Sequence, residues 1–198
     1  MQHPDAPAGK DLKYTLVERE RRFLLGAVPT GPCIRRAEIT DRYLHGRSVT
    51  RLRLRQTVET TTAGTMTIRK LTQKIPNPSG GPGLITTLYL SAAEHEVISA
   101  LPADVLEKSR YSVPPLGVDV FRGPLAGLVV AEIEFATDED QAAFAPPPES
   151  VAEVTFDDRF TGGRYLHTGR DDLLALLAEH GLEPVDAREL AERPLSPE

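Results

Sequence analysis

VTRLRLRQTVE, residues 49–59, alternates apolar with charged or polar side chains at a period of two. That period is a strand's, and it puts Arg51, Arg53 and Arg55 on one face with Leu52 and Leu54 on the other. Similar runs lie on both sides. YTLVERERRFLL (14–25), AEITDRYLH (37–45), TMTIRKLTQKI (65–75), LITTLYL (84–90), LEKSRYSV (106–113), GVDVFRG (117–123) and GLVVAEIEF (127–135) read as strands, and EVTFD (153–157) as a strand end. PNPSGGPG (76–83) is a turn or loop. Helices fall between or after the strands. Ser91 and Glu94 form a capping box, Thr137 caps DEDQAAF before Pro146–Pro148, DDLLALLAEHG (171–181) stops at Gly181, and VDARELAE reads as a short last helix. No regular β-α-β alternation is present. The pattern therefore predicts an antiparallel sheet or barrel with helices inserted.

The bulk numbers bound the rest. A chain of 198 residues with 40% hydrophobic content can bury a core, so disorder is excluded. The expected organisation is a loose terminus (1–12), one domain (13–181), and a short helix with a tail (182–198). A net charge of −6 argues against a broad nucleic-acid surface. No run reaches the roughly 18 apolar residues of a membrane span, and the N-terminus lacks a signal-like apolar stretch. The lone Cys33 cannot form an internal disulfide. These features predict a cytoplasmic protein without nucleic-acid or membrane partners, as a monomer or homodimer.

Strand parity concentrates charge. Glu18, Glu20 and Arg22 share a face; so do Lys70, Thr72 and Lys74; so do Lys108 and Arg110; so do Glu132 and Glu134. Two readings are open. The faces are solvated over an apolar core, the usual state of antiparallel sheets. Or the sheet closes with charge inside and the Leu, Ile and Phe faces outside, under the helices. Segregation of acidic from basic strands weakens the first reading, though strand parity alone still leaves it ahead. Such an interior needs ligands, because buried charge must be partnered. Glutamates suit a hard cation such as Mg²⁺ or Mn²⁺, and arginines and lysines suit phosphate oxygens.

The same residues carry a resemblance. Glu18-Arg19-Glu20-Arg21-Arg22 followed by FLL resembles the E-x-E-x-K signature of the CYTH, or triphosphate tunnel metalloenzyme, superfamily. RYL (42–44), RLRLRQ (51–56), LTQK (71–74), EKSRY (107–111), VDVF (118–121), AEIEF (131–135), and EVT with DDRF (153–155, 157–160) follow in family order. The likeness spans roughly residues 14–168 and is strongest to the short bacterial members. It implies an α+β fold with an eight-stranded antiparallel β-barrel, the triphosphate tunnel, and helices packed outside. It implies metal ligation by Glu18, Glu20, Glu132 and Glu134, and phosphate binding by Arg22, Arg53, Arg55, Lys74, Lys108 and Arg110. Catalytic roles are implied for Arg22, for Tyr43 near the tunnel wall, and for Glu153 as the residue orienting water. The implied activity is Mg²⁺- or Mn²⁺-dependent hydrolysis of a small polyanion, with inorganic triphosphate the best single substrate. The alternatives are a nucleoside triphosphatase or adenylate cyclase acting on ATP, and a non-catalytic polyphosphate- or nucleotide-binding module.

Three departures stand out. Arg22 replaces the family lysine. Thr87 and Tyr89 occupy positions where many members carry glutamates. Arg69 competes with Lys74 one register away. Among the remaining residues, Arg51 lies at the mouth or in solvent, and Arg19 and Arg21 are expected on the surface. His45, His95, His167 and His180 lack metal-ligand spacing and read as surface or loop residues, and Cys33 reads as inert. Asp157 and Asp158 are expected to cap, or to pair with Arg159.

Overall fold

The computed structural model describes residues 14–45, 51–75 and 83–197. The readings of 1–12 and of most of the 76–83 loop, and the side chain of Arg51, lie outside the described residues.

Ten strands form one antiparallel sheet: β1 (Leu16–Val17), β2 (Glu20–Leu25), β3 (Arg35–Leu44), β4 (Arg51–Thr61), β5 (Gly64–Ile75), β6 (Leu84–Tyr89), β7 (Ala103–Val113), β8 (Leu116–Phe121), β9 (Val129–Glu134) and β10 (Ser150–Glu153). The spatial order is β1-β6-β5-β4-β3-β7-β8-β9-β2-β10. This corrects the expectation of eight strands in a closed barrel. The run 14–25 is two strands, because the chain changes partner midway. Its first half pairs with β6 and its second with β9. At the change, Glu18 N donates to Gly83 O at 3.1 Å and Phe135 N donates to Arg19 O at 2.9 Å. The curled sheet is therefore barrel-like, but its ladder is not continuous. β10 takes the remaining edge of β2, and β6 and β10 do not pair.

The parity rule holds along the curl. One face of β2, β7, β8 and β9 packs Phe23, Leu25, Tyr111, Val113, Val118, Val129 and Ala131 into a cluster. That cluster is sealed by α5 (Arg188–Glu192) through Leu190, with Leu195 beyond it. The C-terminal segment is thus seated on the sheet, with Arg193 donating to Pro29 O and Gly31 O at 2.9 Å each. The opposite, concave face is charged along most of its length and apolar at one end. There Leu24, Leu106, Phe121 and Val130 meet Phe160, Tyr165, Leu173 and Leu177.

Helices α1 (Ala92–Ser99) and α2 (Asp138–Ala143) begin at the expected caps, Ser91 with Glu94 and Thr137. The helices do not all lie outside. The short α3 (Gly162–Tyr165) and α4 (Arg170–Glu179) close the apolar end of the concave face, because the LLALL run needs an apolar surface to bury. No helix among the described residues is long and apolar enough to cross a membrane.

Candidate active site

The concave face encloses a cavity of about 710 Å³. Alternation in β4 delivers Arg53 and Arg55 to it, and alternation in β7 delivers Lys108 and Arg110. β5 contributes Lys74, the segment around β2 contributes Glu18, Glu20 and Arg22, β9 contributes Glu132 and Glu134, and β3 contributes Tyr43. Ten of these side chains are the implied phosphate and metal ligands, and one cavity gathers them all. The Arg69 ambiguity resolves: Arg69 pairs with Gln56 at 3.2 Å away from the cavity, and Lys74 lines it. Lys70 shares the parity of Lys74 but lies beyond the cavity, its ammonium 5.0 Å from the Tyr89 ring. Thr87 hydrogen-bonds Thr72 at 3.4 Å and Tyr89 is exposed, so neither supplies a substitute charge.

Two aspartates that the sequence reading passed over organise these cations. Asp41 is directly opposite Arg55 in the β3–β4 register and accepts a bidentate pair at 2.6 and 2.7 Å. Arg53 lies 3.6 Å from the same carboxylate. Asp119 is directly opposite Arg110 and accepts at 2.6 and 2.7 Å, and it also accepts from Lys108. Both aspartates are 1% exposed. Each fixes two cations from beneath, which holds the basic heads in place before a ligand arrives.

Burial works against ionisation of Asp41, but the hydrogen bonds and charge of Arg55, with Arg53 and Lys108, outweigh it and hold the carboxyl below its ordinary range. Because the folded pKa is depressed, the stabilisation is complete above the ordinary carboxylate range. It is lost as pH falls through the depressed value. Melting temperature is therefore expected to drop on acidification below about pH 4. Asp41→Asn should flatten that acid limb, and an unchanged limb would remove Asp41 from the account.

The glutamates are differently placed. Glu20 is opposite Glu134, and Glu132 is opposite Arg22. Burial, then the neighbouring charges of Glu132 and Glu18, push Glu20 up to about 7. Glu132 goes the other way: burial opposes its charge, but Arg110 and Lys108 hold it well below the ordinary range. Glu18 accepts from Lys74 and Glu132 from Arg110. Among the described residues no three acids stand close enough to hold a metal as arranged. The donor chemistry still fits a hard divalent cation: four carboxylates face one cavity, and crowding disfavours the charge on Glu20 unless a cation compensates it.

Arg22 has a second occupation. Its guanidinium donates to Phe160 O at 2.5 Å and to Thr155 O, and its Nε lies 3.4 Å from Glu20. A planar fork reaches three acceptors where a single ammonium would reach fewer, which accounts physically for arginine here. Arg22 thus lines the cavity and is also a strut joining β2 to the C-terminal segment. Tyr43 sits at the wall, with its hydroxyl so close to Gly162 that a Cβ there would lie 1.8 Å away. Burial, then Asp41, push its phenol up, so it stays protonated.

Glu153 is the correction. It is opposite Phe23 in the β2–β10 register, so its side chain shares the face of Phe23 rather than that of Arg22. There it pairs with Arg21 at 2.7 and 3.0 Å and accepts from the Thr155 hydroxyl at 2.7 Å. Arg21 is correspondingly not a free surface residue; it also donates to Phe144 O and stacks 5.0 Å from the Phe23 ring. His180 likewise packs on Phe160, with ring centres 5.8 Å apart. Asp157 caps and pairs with Arg159 as expected, whereas Asp158 lines the cavity. Thr155, Phe156, Gly162 and Tyr165 complete the wall. They lie outside the alternating strands, so parity could not find them.

No family model matches the chain. An inorganic triphosphatase of Nitrosomonas europaea is 43% identical over 60 residues, spanning 28% of this chain and 40% of that protein. The crystal structure of an inorganic triphosphatase is similar over 76% of this chain and 95% of its own, at 26% identity and a TM-score of 0.50. A second crystal structure, of a hypothetical protein, matches at 26% identity and a TM-score of 0.50 over 77% of this chain and 99% of its own. The motifs in order along the strands, with their charged residues gathered in one cavity, resemble the CYTH, or triphosphate tunnel metalloenzyme, superfamily, and these likenesses agree with that resemblance.

Proposed function

We propose that this chain is a divalent-metal-dependent hydrolase of triphosphate substrates, with inorganic triphosphate as its best single substrate. The observation that carries this is the convergence of Arg53, Arg55, Lys74, Lys108 and Arg110 with Glu18, Glu20, Glu132 and Glu134 on one cavity. The names of the similar proteins point the same way.

Arg53, Arg55, Lys108 and Arg110 neutralise the phosphate oxygens and orient the chain of phosphoryl groups, held from beneath by Asp41 and Asp119. Glu18, Glu20, Glu132 and Glu134 would hold Mg²⁺ or Mn²⁺, which would supply Lewis acidity toward the phosphoryl oxygens. Phosphate binding and glutamate release are linked. Lys74 and Arg110 pair with Glu18 and Glu132 in the ligand-free protein, so turning those cations to phosphate frees two carboxylates.

The test is orthophosphate release from inorganic triphosphate by purified protein, with Mg²⁺ or Mn²⁺ and with chelator. Activity should require metal and fall about tenfold or more in Glu18→Gln, the cost of roughly one charge-assisted contact. Equal rates in both proteins, or none in either, would sink the proposal. Chromatography of the products from ATP tests the nucleotide alternatives: cyclic AMP or ADP formed faster than orthophosphate from triphosphate would displace the inorganic substrate.

A further inference from the structure

Tyr165 lines the apolar end of the cavity and is 6% exposed. Its ring packs edge-on against Phe121 with centres 4.7 Å apart, a contact that phenylalanine would make equally well. The hydroxyl is the anomaly. It is buried, and among the described residues it has no hydrogen-bond partner. Buried hydroxyls are rarely left so, and each exception calls for an account. Arg22 and Tyr43 lie near it, so the oxygen sits on the charged side of the apolar wall. The Nε atoms of Arg22 and Arg53 are also buried without a hydrogen bond, but each lies beside a carboxylate, 3.4 Å from Glu20 and 3.6 Å from Asp41. The Tyr165 hydroxyl is therefore the donor that stands idle at this end of the cavity.

We propose that Tyr165 is a phosphoryl-binding residue, its hydroxyl donating a hydrogen bond to an oxygen of the phosphoryl group lodged at the apolar end. The inference rests on the triphosphate reading of the cavity and adds a ligand contact from outside the strands. A phenol near neutral pH is a neutral donor, suited to a phosphate oxygen. It adds no charge beside the apolar Leu106, Phe121 and Val130. A ligand held there has one terminal phosphoryl group in a dry corner that also holds a hydroxyl donor.

The experiment compares wild type with Tyr165→Phe, which deletes one oxygen. Melting temperatures are measured without ligand and with inorganic triphosphate plus Mg²⁺, and Kd for triphosphate by calorimetry. The ligand-free melting temperature should not fall, because no protein contact is lost. Kd should weaken about tenfold, the worth of one hydrogen bond to a charged group, and the ligand-induced rise in melting temperature should shrink accordingly. An unchanged Kd overturns the proposal while leaving the triphosphate reading intact. A lowered ligand-free melting temperature, or failure to fold, shows a structural hydroxyl and also overturns it. Wild type that is not stabilised by triphosphate overturns the reading of the site and the proposal together.

Discussion

Asp119→Ala is expected to lower the melting temperature by roughly 6–20 °C. The estimate combines about 3–5 kcal/mol for breaking a buried ion pair with about 2–4 °C per kcal/mol at this chain length. Asp119 is 1% exposed and accepts from both Lys108 and Arg110. Lys108 is itself 6% exposed, and burial, then the charges of Arg110 and Arg55, pull its pKa down against Asp119, so it depends on that carboxylate. Alanine leaves two cations adjacent in a poorly solvated wall. Inorganic triphosphate should restore part of the loss, since it returns negative charge to the same heads. Thermal unfolding of the variant with and without triphosphate reads both effects. A shift below about 2 °C would mean that Glu132 or solvent replaces Asp119 at little cost.

Glu132→Gln should reduce metal-dependent phosphate release about a hundredfold or more, corresponding to several kcal/mol of lost transition-state stabilisation. Glu132 stands where the acidic and basic halves of the cavity meet. It accepts from Arg110, and Lys108, Lys74 and Arg55 contribute to its lowered pKa. The same change should not weaken triphosphate binding in the presence of chelator, because it removes a negative charge and releases Arg110. Steady-state rates with metal and calorimetry without it separate the two. Turnover like that of wild type would take Glu132 out of the metal set, and weaker metal-free binding would show that it positions the cations instead.

How much of this was legible depended on periodicity. RLRLRQ, AEIEF and EKSRY announce their faces because strand side chains alternate, and that placed Arg53, Arg55, Lys108, Arg110, Glu132 and Glu134 correctly on the cavity. The Ser91–Glu94 cap was readable because both halves of the motif are local. Glu153 failed for a nonlocal reason: its face depends on which residue of β2 it meets, and β10 pairs through an irregular register. Asp41 and Asp119 carried a usable signal. Asp119 is a lone carboxylate in the otherwise apolar stretch VDVF, and each aspartate stands opposite an arginine on the next strand, but the pairing had to be known first. Tyr165 and Gly162 had no periodic signal, since they lie in a helix of only four residues.

The change of partner at Glu18 and Arg19 bears on how the wall moves. β1 is joined to β6 by two residue pairs, whereas β2 is joined to β9 by five. Local opening draws on the least cooperative part of a structure, and here that part borders the cavity at Glu18, Leu84 and Ile85. Unzipping β1 from β6 would widen the entrance while leaving the β2–β9 ladder and both buried aspartates undisturbed. Amide exchange should accordingly be faster in β1 than in the β2–β9 ladder, making the curled sheet a vessel with a hinged stave, in which Glu18 rides on the moving piece and Glu132 on the fixed one.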